Sequence, residues 1–267
     1  MYEPAPLRLA ATILLARDGA AGIELSMVVR HHEIDFASGA LVFPGGSVDA
    51  ADGEARDWCD GDGALSDDEA QVRVAAIREA FEECGVLIAT RGGATVTGAE
   101  AAEIGPRWRD RLEANEVSMA DLAREEGLRF PLDRLTLFSR WITPPMMPKR
   151  FDTFFFVAET PDGHALLHDG SEAVDSLWIR PQAALDAAKA GEKTILFPTR
   201  LNLAVAAEAG SVAEAVASAR KRPEVSVMPD VSRDGEHLIM RIPEEAGYGA
   251  PAFRIKGMSG EPIPYFD

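Results

Sequence analysis

Residues 66–86, SDDEAQVRVAAIREAFEECGV, constrain this chain more than any other stretch. Ser66 is a good helix N-cap and Glu69 stands three residues on, while Asp67, Asp68 and Glu69 suit the positive end of a helix dipole. The spacing predicts a helix from about 67 to 84, with Gly85 as its stop. Val72, Ala75, Ala76, Ala80 and Phe81 give that helix an apolar side that a core must cover. Glu79, Glu82 and Glu83 crowd another side, three and four residues apart. Like charges at that spacing repel by roughly 0.2–0.5 kcal/mol per pair. The face is either a solvated one that tolerates the repulsion or a seat for a cation that removes it.

Strand patterns surround this helix. RLAATILLA (8–16) and ELSMVVR (24–30) read as strands joined by the turn RDGAAG, and GALVFPGG (39–46) as a short strand ending in a Pro-Gly-Gly turn. Residues 49–69 hold nine acids against one Arg and read as a loop of solvated charge. Residues 99–127 look helical, interrupted near Gly105–Pro106 and restarted at Ser118. RLTLFSRWIT (134–143) and RFDTFFFVAE (150–159) are two strands around the turn PPMMPK, and 168–179 passes from loop into strand. Pro181 opens a short helix, and 198–210 and 211–221 are two more. SVMPDV and HLIMRI read as a hairpin around 232–235, and the last twenty residues as an irregular strap. Strands interleaved with helices imply an α/β layer fold.

Composition narrows the partners. The 267 residues carry 27 Lys and Arg against 44 Asp and Glu, a net charge of −17. Such a chain is a poor non-specific binder of nucleic acid or anionic membrane. A phosphate substrate is still compatible, because bound divalent cations reverse the local sign. Cys59 and Cys84 have no zinc spacing, so a reducing, cytoplasmic setting is expected. The short LAATILLA run reads as the first strand, not as a signal peptide. PIPYFD carries no peroxisomal or retention address.

FPGGSVDAAD followed by AAIREAFEECGV resembles the Nudix box, G-x5-E-x7-R-E-U-x-E-E-x-G-U with U aliphatic. The second half matches at Arg78, Glu79, Ala80, Glu82, Glu83, Gly85 and Val86. The first half departs: Asp52 stands where the pattern has Glu, and 25 residues separate it from Arg78 where the pattern has seven. A branch of the Nudix family similar to mammalian peroxisomal coenzyme A diphosphatase carries an insertion at this place. It shares the V-F-P-G-G-x-x-D-A-A-D run, R-F-D-T-F-F (here 150–155) and an E-x5-W segment (here Glu172 to Trp178).

The resemblance implies a Nudix-type α-β-α sandwich around a mixed sheet over 1–197, with a box insertion at about 50–66 and a helical insertion at about 99–127. Residues 198–267 would form a C-terminal α/β extension packed on it, as a lid, an interface or a separate domain. It also implies an activity, metal-dependent hydrolysis of a nucleoside diphosphate linked to another moiety. Coenzyme A or its acyl esters would be cut to 3′,5′-ADP and (acyl-)4′-phosphopantetheine. ADP-ribose, a nucleotide sugar or a dinucleoside polyphosphate is the alternative substrate, and a nucleotide-sensing module without catalysis the alternative role. Glu79, Glu82 and Glu83 would ligate Mg2+ or Mn2+, joined by the Gly45 carbonyl. Arg78 would hold a nearby carboxylate in place. The general base would be a box glutamate, Glu83 or Glu79, or the loop residue Glu172. Arg30, Lys149 and Arg150 are candidates for the substrate phosphates, with a structural ion pair as the other reading of Arg150. His31 and His32 read as loop residues, Trp141 and Trp178 as core, and Asp52 as a turn residue of doubtful role. Relatives often form homodimers, so the extension could supply an interface.

Overall fold

The computed structural model describes residues 4–30, 39–61, 63–167 and 173–265. Strands β1 (Leu7–Gly19) and β2 (Gly22–Arg30) form a hairpin, followed by β3 (Leu41–Val42) and β4 (Gly45–Ser47). A 3-10 helix (Ala50–Trp58) and β5 (Cys59–Asp60) lead into α1 (Asp67–Cys84). Next come β6 (Thr90–Arg91), β7 (Ala94–Thr95), α2 (Gly98–Glu113), α3 (Met119–Glu126) and β8 (Leu128–Pro131). They are followed by β9 (Thr136–Ile142), β10 (Arg150–Glu159), β11 (Ala173–Ile179) and α4 (Pro181–Lys189). Beyond these lie α5 (Phe197–Ala206), α6 (Val212–Ala219), β12 (Ser226–Val227), β13 (Asp230–Asp234), β14 (His237–Arg241), β15 (Ala252–Lys256) and β16 (Ile263–Pro264).

The large sheet is mixed, in the order β11-β2-β1-β10-β9-β12, with β3 beside β2 and β4 beside β1. Strand β1 sits at its centre, antiparallel to β2 and parallel to β10. Its near-continuous apolar run fits a strand covered on both faces. Successive side chains point to opposite faces. Ala11, Ile13 and Leu15 enter one core with Ile77, Phe81, Leu87 and Trp108, under α1 and α2. Leu14 and Ala16 enter a second core with Phe197, Leu203, Met240 and Phe253. Helices on both faces of a mixed sheet make the α-β-α sandwich. Residues beyond 198 share this second core with the central strand. The Phe197 ring packs edge-on against Trp141 at 5.9 Å and against Phe253 at 5.6 Å.

Several expectations are corrected. The acidic loop is partly a 3-10 helix, because Asp52 and Ala55 turn inward and are buried. Helix α2 runs through Pro106 without a break. Buried Ala101, Ile104, Trp108 and Leu112 hold both of its halves on the core, which outweighs the lost backbone bond. The 39–46 strand is two strands, since the chain switches from pairing with β2 to pairing with β1 across Phe43–Pro44. Ser226–Val227 lies apart from the hairpin and extends the large sheet parallel to β9. The hairpin itself is β13–β14, closing from Asp234 to His237. The last residues are no irregular strap: β15 and β16 complete a small antiparallel sheet with β13 and β14. A further small sheet, β5-β8-β6-β7, was not expected from the sequence.

Candidate active site on helix α1

Helix α1 begins where its cap residues predict. The Ser66 side chain accepts from the Glu69 amide, while the Ser66 amide donates to Glu69 Oε2 at 2.9 Å. It ends at Gly85, whose φ of 69° lies in the left-handed region that glycine tolerates. Between these ends the helix is buried over most of its circumference, not along one apolar stripe.

The glutamate face is not solvated. Glu79 and Glu82 are each 7% exposed, Glu83 6% and Arg78 8%. Buried like charges need compensation, and Arg78 supplies it. Its Nε donates to Asp52 Oδ1 at 2.8 Å and its Nη2 to Asp52 Oδ2 at 3.1 Å, a bidentate pair. Nη1 donates to Glu79 Oε1 at 2.8 Å and to Glu82 Oε2 at 2.9 Å. Nη2 also reaches the Ser47 carbonyl at 2.8 Å. These contacts match the five N–H groups of a guanidinium. Burial works against the charged guanidinium. The hydrogen bonds that Arg78 donates to Asp52 and the charges of Glu79, Asp52 and Glu82 outweigh it and hold the Arg78 pKa above its usual value.

Glu82 is less well served. Burial pushes its pKa up to about 7 against the opposing pull of Arg78. Its second oxygen, Oε1, is buried and has no hydrogen-bond partner among the described residues. An orphaned buried carboxylate oxygen beside two other carboxylates calls for a cation. Among the described residues, no three His, Cys, Asp or Glu side chains already stand in metal-holding arrangement. Arg78 spans Glu79 and Glu82, and the Gly45 amide donates to Glu83 Oε2 at 3.1 Å. The donor set of hard carboxylate oxygens nevertheless fits a hard divalent ion such as Mg2+ or Mn2+.

The glycine turn closes the site from the sheet side. A Cβ at Gly46 would lie 2.6 Å and 2.8 Å from the two Glu79 carboxylate oxygens. At Gly45 it would strike the Ala11 carbonyl and come within 2.7 Å of Thr12 Cα. Gly45 therefore requires glycine, and a side chain at Gly46 would have to displace the Glu79 carboxylate. The Gly45 contact seen here is its amide on Glu83.

Arg150 heads β10, level with Leu7, whereas Gly46 is level with Ala11, four residues or roughly 13 Å along the strand. Its Nε donates to the Thr143 carbonyl at 3.1 Å, so the structure gives it a backbone role rather than an ion pair. Lys149 is exposed in the adjoining turn. Glu172, His31 and His32 lie outside the described residues, as does the Arg30 side chain, although the Arg30 backbone pairs with Ala173. Asp52, doubtful in the sequence, is 2% exposed and is the main partner of Arg78. Its Oδ2 also accepts from the Asp49 amide at 2.8 Å, which caps the 3-10 helix. Arg109 was missed altogether. It reaches from α2 to the Glu82 carbonyl at 2.6 Å and the Leu167 carbonyl at 2.7 Å. No local motif marks it, since its partners lie 27 and 58 residues away.

The model of the NUDT19 Nudix domain matches residues 60–204, more than half of the chain and all of α1. The chain belongs to the Nudix family. This Nudix chain is 31% identical to the crystal structure of a NUDIX hydrolase from Alicyclobacillus acidocaldarius, covering 80% of this chain and 96% of that one with a TM-score of 0.66. It is 32% identical to putative nudix hydrolase 7 of Caenorhabditis elegans, over 72% of this chain and 57% of that protein. It is 29% identical to the acyl-coenzyme A diphosphatase NUDT19 of Gallus gallus, over 69% of this chain and 64% of that protein. The chain thus spans less than two thirds of the length of these two curated relatives. Nudix hydrolases generally use divalent metal ions. No helix among the described residues is long and apolar enough to cross a membrane.

Proposed function

We propose that this protein is a divalent-metal-dependent diphosphatase that cleaves coenzyme A or acyl-coenzyme A to 3′,5′-ADP and (acyl-)4′-phosphopantetheine. The observation that carries the reading is the buried trio Glu79, Glu82 and Glu83, set against a glycine turn and leaving Glu82 Oε1 without a partner. The substrate choice draws support from the acyl-coenzyme A diphosphatases among the relatives. Bound Mg2+ or Mn2+ would neutralise the diphosphate and lower the pKa of water.

The chain's own groups do the rest. Asp52 and the Ser47 carbonyl lock Arg78, and Arg78 holds Glu79 and Glu82 at a fixed spacing. Glu83, oriented by the Gly45 amide, takes a proton as water oxygen attacks one phosphorus. The bridging P–O bond breaks, and the leaving phosphate carries away the electron pair. Glu172 or Glu79 is the competing base. Cys59 and Cys84 are both buried and lack zinc-ligand spacing, which suits a reducing compartment such as the cytoplasm.

The test is turnover of coenzyme A and ADP-ribose side by side, each with Mg2+ and Mn2+, read by chromatography of the phosphorylated products. Coenzyme A should be preferred in kcat/KM. A hundredfold preference for ADP-ribose overturns the substrate assignment. Absence of hydrolysis with every diphosphate and metal leaves the nucleotide-sensing alternative.

A further inference from the structure

A large cleft of this protein, of about 620 Å3, opens away from the box glutamates, beside the N-terminal half of α1. None of Glu79, Glu82 and Glu83 lines it. One wall is α1 at Val72 and Arg73, the floor is sheet residues including Leu137 and Phe154, and the far wall is 219–227 with Tyr248.

Its charges are unusual for a chain at −17. Arg73, Arg140, Arg220 and Arg222 all line the cleft. Arg140 is neutralised by a bidentate pair with Asp152, at 2.8 and 2.7 Å. Among the described residues, the other three have no carboxylate within ion-pair distance. Arg73 donates to the Glu69 carbonyl at 3.1 Å, and Arg222 to the Ala246 carbonyl at 2.5 Å. Arg73 is half-buried, and burial lowers its pKa despite the charges of Glu69 and Glu224. Asp68, Glu69 and Glu224 also line the cleft, yet none of them closes an ion pair with these arginines. Three guanidiniums that close no ion pair among the described residues, although three carboxylates share the cleft, can still take an anion between them.

The rest of the lining describes the anion's body. Arg140 lies over the Phe154 ring at 4.5 Å, Arg73 over Phe156 at 5.0 Å and Arg222 over Tyr248 at 4.9 Å. Such layered planes accept a further flat ring by stacking. Thr136 and Ser226 add hydroxyls that an acyl chain would leave unpaired but a heterocycle edge would use. The volume is far larger than an inorganic anion needs.

We propose that this cleft is a second ligand site, which takes a small organic anion of the nucleoside-monophosphate class. Its phosphate pairs with Arg73, Arg220 and Arg222, and its ring stacks over Arg140. The site stands independently of the reaction proposed above. AMP titrated by calorimetry into the full chain in EDTA tests it, because chelation removes any metal that would draw phosphate to the glutamates. Binding should saturate at one site and weaken about tenfold in Arg220→Met and in Arg73→Met, the loss of one charge-assisted contact. It should be unchanged in Glu82→Gln, and inorganic phosphate should bind at least tenfold more weakly than AMP. Among the described residues, no hydrogen bond or ion pair is seen for the exposed Arg220 side chain, so its variant should fold as the wild type does. The proposal is overturned if binding does not saturate, if both arginine variants bind as wild type, or if Glu82→Gln abolishes binding.

Discussion

Two arginine settings on the same helix behave in opposite ways. Arg78 is enclosed by acceptors that use its whole hydrogen-bonding capacity. Arg73, five residues earlier, faces a cleft and, among the described residues, gives its side-chain hydrogen bond only to a helix carbonyl. A fully satisfied buried guanidinium is framework, whereas one short of anions is a handle for something outside the chain. The lesson is that partner accounting, more than residue type, separates the two roles.

The sharpest way to break this contrast is to neutralise each arginine in turn. Arg78→Met leaves Asp52, Glu79 and Glu82 buried without their cation and should cost about 3–5 kcal/mol of stability. Arg73→Met should cost under about 1 kcal/mol. Urea denaturation of both variants checks this, and equal losses would erase the distinction. Arg78→Lys should not restore stability, because one ammonium cannot reproduce the planar fork.

Next in size is Glu82→Gln. It should lower kcat roughly a hundredfold or more, with a smaller rise in melting temperature on adding Mg2+ than the wild type shows. An unchanged metal-dependent rise would remove Glu82 from the ligand set. Gly46→Ala then tests whether the turn sets the site, since the new methyl meets the Glu79 carboxylate. It should cost about 1–3 kcal/mol by overpacking, with activity falling in step. Activity retained at wild-type level would show that Glu79 moves aside freely.

The smallest effect belongs to the far end of α1. Ser66→Ala should cost about 1 kcal/mol by loss of the cap. The capping-box hydrogen bonds from the Ser66 backbone and side chain hold the Glu69 pKa below its usual 4.5. A depressed folded-state value means a contribution present above pH 4.5 and lost as pH falls through the lowered value. A stability–pH curve on wild type and Ser66→Ala should therefore converge in acid.

How much of this was legible follows from the range of each interaction. The ends of α1 could be read because Ser66, Glu69 and Gly85 act within a few residues. Strand β1 could be read because burial on both faces leaves a continuous apolar run. The crowding of the three glutamates was visible, but not their burial, which depends on a turn at 45–46 and an arginine held from residue 52. The 3-10 helix was hidden by its own composition, since acids read as solvated loop unless an inward partner is known. Strands β12 and β16 carry two residues each, too few to show a period, and their pairing is set by distant neighbours. Arg109 is invisible for the same reason.

The parallel pairing of β1 with β10 also bears on how the chain matures. Leu7 meets Arg150, and Ala16 meets Glu159. A nascent chain leaving the ribosome must expose one edge of its most hydrophobic strand until some 140 further residues have emerged. Such long-range closure slows folding and prolongs the risk of intermolecular association. Chaperone dependence during synthesis, rather than fragility of the finished molecule, is the expected cost of placing the first strand at the centre of the sheet.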